Sequence, residues 1–135
     1  MLTAIPLMIV PLALYNLALA GTFGGGGVAG LSRVVFTLPM LSGATWVMSA
    51  ADVLILAALV LLFAEILKST RNGAGALLNH ILSMLVFVAF LVEFLLVRDA
   101  ATQIFFVLMT IAFIDVAGGF VISVRSAGRD VSIGL

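Results

Sequence analysis

Val53-Leu54-Ile55-Leu56-Ala57-Ala58-Leu59-Val60-Leu61-Leu62-Phe63-Ala64-Glu65-Ile66-Leu67 holds a single charge, Glu65. It is too long for a buried strand, and too evenly apolar for a helix with one face in water. A membrane helix needs about 20 mainly apolar residues to cross roughly 30 Å of hydrocarbon. Extended back to Trp46, the run meets that length and predicts a span over 46–67.

Three further stretches have the same character. Residues 76–97 read ALLNHILSMLVFVAFLVEFLLV, residues 102–124 read TQIFFVLMTIAFIDVAGGFVISV, and residues 3–20 read TAIPLMIVPLALYNLALA with no charge at all. None alternates polar with apolar over ten residues, as the strands of a membrane barrel would. The expectation is an all-α integral membrane protein: four transmembrane helices in an antiparallel bundle, forming one domain over 1–135.

Composition agrees. Of 135 residues, 64% are hydrophobic and 9% charged, with a formal net charge of zero and a mean hydropathy of +1.40. A soluble domain carries roughly 25% charged residues, and one this small leaves too much surface in water to hide so many apolar side chains. A cytosolic enzyme domain is excluded, as is a nucleic-acid binder, which needs a basic face. With no cysteine, disulfides and thiolate metal sites are excluded too.

The first span has one competing reading. Ala18-Leu19-Ala20 before Gly21 fits a signal-peptide cleavage pattern, but no Lys or Arg precedes the apolar run, so a retained helix is favoured. Cationic residues orient the bundle. Lys68, Arg71, Arg125 and Arg129 fall on one side, Arg33 and Arg98 on the other. This places both termini in the cytoplasm, with Trp46 at the outer interface, and the bacterial inner membrane is the expected location. The connection over 21–45 starts with a glycine run read as flexible. It continues through Leu31–Leu38 as an interfacial or re-entrant segment, which Pro39 ends. Short turns after spans two and three predict that spans two, three and four are sequential neighbours.

Ionisable residues within spans are costly and so are candidates for function. Asp115 lies nearest the midplane of its span, with Gly118 and Gly119 one turn on, where another backbone could approach. It is either a proton or cation site, or a protonated carboxyl hydrogen-bonded in a packed interface; the structural reading is favoured. Glu65 and His80 fall at similar depth across a hairpin, as a proton relay or, preferably, as a carboxylate reaching Lys68 with His80 and Asn79 bonding the helix start. Asp52 and Glu93 form a second layer at the opposite side, but Ser49-Ala50-Ala51-Asp52 also reads as a capping box. Asn16 offers a hydrogen bond between helices. No metal site, catalytic set or cofactor is expected, since a lone histidine excludes bis-histidine haem ligation.

In length and span number the chain is similar to small multidrug-resistance transporters, a likeness that implies a four-helix fold. The essential glutamate of that family lies in its first span; residues 3–20 here contain no acid, so the family's function is not carried over. The sequence is therefore read as a non-catalytic accessory or assembly subunit of a larger membrane complex. Its expected partners are the lipid bilayer and other membrane chains or copies of itself. The alternative is a small oligomeric proton- or cation-coupled transporter or channel using Asp115.

Overall fold

A computed structural model describes residues 5–22, 24, 27–70 and 75–133, with side chains as far as Arg125. The elements are α1 (Ile9–Leu19), a 3-10 segment (Gly27–Ser32), β1 (Val34–Pro39), β2 (Thr45–Ser49), α2 (Ala50–Ser69), α3 (Gly75–Leu96), a 3-10 turn (Arg98–Ala100) and α4 (Gln103–Ile133). The protein is mostly helical, and α2, α3 and α4 are each long and apolar enough to cross a membrane. Helix α1 is shorter than its apolar run, covering 11 residues, or about 16 Å at the helical rise.

Helix α4 packs along both α2 and α3. Pairs such as Phe94–Phe106, Phe87–Phe113 and His80–Phe120 set α3 antiparallel to α4. The short turn after α2 led to the expectation that α2 and α3 lie side by side. Among the described residues they are instead separated along their lengths by α4 and meet through polar side chains at their shared end. A short turn fixes direction and proximity at one end, not packing along the whole helix.

Regular stripes face the interior. On α2 the buried residues are Ala51, Leu54, Ala58, Leu62 and Glu65, three or four residues apart, as one helical face requires. On α4, Phe105, Leu108, Ala112 and Asp115 repeat the spacing. Glu65 and Asp115 thus continue apolar stripes into the core. On the outer faces Val60, Phe63 and Leu77 remain at 68%, 64% and 70% exposure, the arrangement expected of helices solvated by lipid.

The connection departs from its sequence reading. Residues 34–49 form an antiparallel hairpin, with Leu38 opposite Trp46 and Pro39 opposite Thr45. The apolar run from Leu31 thus continues into a strand, and α2 begins at Ala50, four residues after Trp46. Two signals favoured strands: the β-branched and aromatic residues of Val34-Val35-Phe36-Thr37 and Thr45-Trp46-Val47, and the Ser42-Gly43 turn. Gly43 adopts φ +91°, a conformation that favours glycine. The first turn of α2 then starts at a capping box: Ser49 Oγ accepts from the Asp52 N–H at 3.3 Å, and Asp52 Oδ2 accepts from the Ser49 N–H at 3.0 Å. Gly27, the last residue of the glycine run read as flexible, opens a 3-10 helix that ends at Ser32, while Gly25 and Gly26 lie outside the described residues. Helix α4 continues past the expected end at 124 to Ile133. Arg71 lies outside the described residues, as does the side chain of Arg129.

Candidate functional site

At the end of the bundle where α2 meets α3, polar side chains replace the apolar core. Glu65 has 0% exposure. Its Oε1 accepts from Asn79 Nδ2 at 2.7 Å, and its Oε2 accepts from the Leu7 N–H at 2.9 Å. Lys68 approaches the same Oε2 at 3.5 Å, while its Nζ also donates to Ile5 O at 2.7 Å and Asn79 Oδ1 at 3.3 Å. A buried carboxylate is tolerated only when paired and hydrogen-bonded, and every oxygen of Glu65 is partnered.

The Leu7 contact has a local cause. Helix α1 has no side-chain cap at Met8; its first N–H groups, those of Ile9 and Val10, donate to the carbonyls of Pro6 and Leu7 in the turn that leads into it. The Leu7 N–H lies before that turn's donors, and Glu65 supplies its acceptor from another helix. One side chain thereby ties α1, α2 and α3 together.

Asp115 sits deeper, roughly 18 Å along α4 from its start at the helical rise, and is 4% exposed. Ser83 of α3, also 4% exposed, faces it across the helix interface. The two are close enough to influence each other yet fall short of hydrogen-bond geometry: Asp115 Oδ2 and Ser83 Oγ are both buried without a partner. Glu65 and Lys68 lie within electrostatic range. One turn beyond Asp115, a Cβ added to Gly119 would stand 3.1 Å from His80 Nδ1 and 3.8 Å from Ser69 Oγ, so α4's backbone passes close to both. At Gly118 the same construction meets nothing within 4 Å.

His80 stacks on Phe120, with ring centroids 6.4 Å apart, and Glu65 takes Asn79 as its α3 partner. Asp52 is engaged in the α2 cap, and Glu93 Oε2 accepts from Asn16 Nδ2 at 3.1 Å. These two acids therefore serve different elements. Among the described residues no group of three or more His, Asp or Glu side chains is placed to hold a metal ion.

At the opposite end of the bundle the Tyr15 hydroxyl lies 2.7 Å from Thr102 Oγ1 and donates to Asp99 O at 3.0 Å, while its ring meets Phe105 edge-on at 4.8 Å. Sequence reasoning passed over Tyr15, Thr102 and Ser83. Ser83 carried a usable signal, because Asn79 and Ser83 are polar at i and i+4 on a mainly apolar helix and so share one face. No protein-family model, curated protein or solved structure matches the chain.

Proposed function

We propose that this protein is a non-catalytic accessory or assembly subunit of a larger membrane complex, and that its hairpin is the docking element. The observation that carries this reading is the hairpin's composition and exposure. Val34, Val35, Phe36, Leu38, Trp46 and Val47 are all 41–52% exposed, and Leu41 at the tip is fully exposed. No charged residue occurs between Val34 and Ser49. Apolar strands exposed on both faces are typical of sheets covered by protein. Lipid is a poor cover, because it cannot satisfy the free N–H and C=O groups of a sheet edge, and an uncharged open edge invites another strand. A neighbouring membrane chain that contributes a strand answers both needs.

In this reading α1 is a fourth embedded segment. Its two ends are tied to opposite ends of the bundle, through Leu7 to Glu65 and through Tyr15 to Thr102, which supports a segment running alongside the three long helices. The distribution of Lys and Arg supports cytoplasmic termini, and a bacterial inner membrane suits the helical architecture. The test is native purification in mild detergent. A membrane partner is expected to co-purify and to be lost when Phe36 and Leu38 are both changed to Ser. A monodisperse monomer from the source membrane would contradict the proposal.

A second reading, a small oligomeric proton- or cation-coupled transporter, draws support from the unpartnered Asp115 and Ser83 oxygens deep in the bundle. It predicts flux in liposomes that Asp115→Asn abolishes; unchanged flux in that variant would remove it.

A further inference from the structure

We propose that Asp115 and Ser83 form a binding site for a single exchangeable proton, reached from the end of the bundle where α2 meets α3. The inference names the ligand of the site invoked by the transport reading and rests on that site's position, but it does not require transport.

Charge balance is the first ground. From α2, Glu65 and Lys68 face the site and compensate each other at 3.5 Å. From α3 it is faced by Ser83 and, one turn nearer the bundle end, His80. Helix α1 brings no charged residue, and the next charge along α4 is the exposed Arg125. An ionised Asp115 would leave one net negative charge inside an apolar bundle, where an uncompensated charge is strongly disfavoured. One unit of positive charge removes the imbalance.

Counting oxygens decides between a proton and a metal ion. Hard cations take about six or more oxygen ligands. The oxygens of Glu65 are occupied by Asn79, Leu7 and Lys68, and that of Asn79 by Lys68. The free buried side-chain oxygens at the site are Asp115 Oδ2 and Ser83 Oγ, and the Lys68 ammonium repels a metal ion. A proton needs far less. Once Asp115 carries it and its side chain closes on Ser83, the carboxyl O–H donates to Ser83 Oγ, and the hydroxyl is free to donate in turn to an acceptor. Both orphan oxygens are then satisfied, the condition buried polar atoms normally meet.

Polar side chains also lie between Asp115 and the bundle end. Gly119 follows Asp115 by one turn on the same face and lacks a side chain where His80 Nδ1 and Ser69 Oγ approach. His80 is partly exposed at the bundle end. In the binding step hydronium gives its proton to the carboxylate and leaves as water; release is the reverse.

The experiment is infrared difference spectroscopy of the full chain reconstituted in liposomes, titrated with pH in H2O and D2O. The expected result is a protonated-carboxyl C=O band that titrates, shifts in D2O and is lost in Asp115→Asn. At acidic pH the band should be present in Glu65→Gln; in the unaltered charge background of Ser83→Ala it should change frequency, and it should ignore added Na+ or K+. Ser83→Ala leaves the carboxyl in place and so gives a readout even if Asp115→Asn fails to fold. Absence of the band in the wild-type protein, its survival in Asp115→Asn, an unmoved band in Ser83→Ala, or its displacement by Na+ would each overturn the proposal. Lack of proton flux with the band intact would remove only the transport reading.

Discussion

Replacing Glu65 by Ala isolates the contact that joins three helices. The substitution strips the acceptor from Asn79 Nδ2 and from the Leu7 N–H, and removes the counter-charge of Lys68. Breaking a buried ion pair from one side costs about 3–5 kcal/mol. The Lys68 side chain is 19% exposed and keeps Ile5 O and Asn79 Oδ1 as acceptors, so most of that loss falls on the two orphaned N–H donors, each worth about 1–3 kcal/mol. The expected destabilisation of Glu65→Ala is therefore about 3–5 kcal/mol, and Lys68→Ala, which leaves the fully buried Glu65 carboxylate without its counter-charge, should cost a comparable amount. Because the residues share one network, the double variant should fall short of the sum by about 0.5–3 kcal/mol. Equilibrium unfolding in mixed detergent micelles, followed by circular dichroism, measures all three. A loss below about 1 kcal/mol for Glu65→Ala, on the scale of an exposed ion pair, would refute the reasoning.

Other substitutions probe separate contacts. Gly119→Val should destabilise the bundle by about 1–3 kcal/mol through overpacking against His80, whereas Gly118→Ala should be neutral or stabilising by up to about 1 kcal/mol from helix propensity; the same unfolding assay compares them. Tyr15→Phe keeps the edge contact with Phe105 but loses the hydroxyl bonds to Thr102 and Asp99, at an expected cost of about 1–2 kcal/mol. Ser49→Ala removes the cap of α2 and should cost about 0.5–2 kcal/mol, with faster amide exchange confined to that helix's first turn.

The lengths of α2, α3 and α4 were legible because crossing hydrocarbon demands apolar residues in number, and number survives without any knowledge of packing. The capping box was legible because Ser49 and Asp52 act locally. Which face of each helix turns inward was much harder to read. In lipid both faces are apolar, so hydropathy does not distinguish Leu62 inside from Phe63 outside; small residues such as Ala58 and Ala112 carried most of the hint. The hairpin was obscured by the same uniformity, since its strands have no polar face to mark the two-residue period. Glu65 is partnered by a backbone N–H 58 positions away, and no spacing rule reaches that far.

The central claim is that lipid solvates the outer faces of α2, α3 and α4, and the absence of cysteine allows a direct measurement. Single cysteines at Val60, Val88 and Phe113, which are 68%, 48% and 53% exposed, are treated in intact membranes with a membrane-impermeant maleimide, with Leu41→Cys at the hairpin tip as the accessible reference. The three mid-helix positions are expected to stay unlabelled until the membrane is dissolved and the protein unfolded, while position 41 reacts at once. Equal labelling at all four positions would show that water, not lipid, covers these helices.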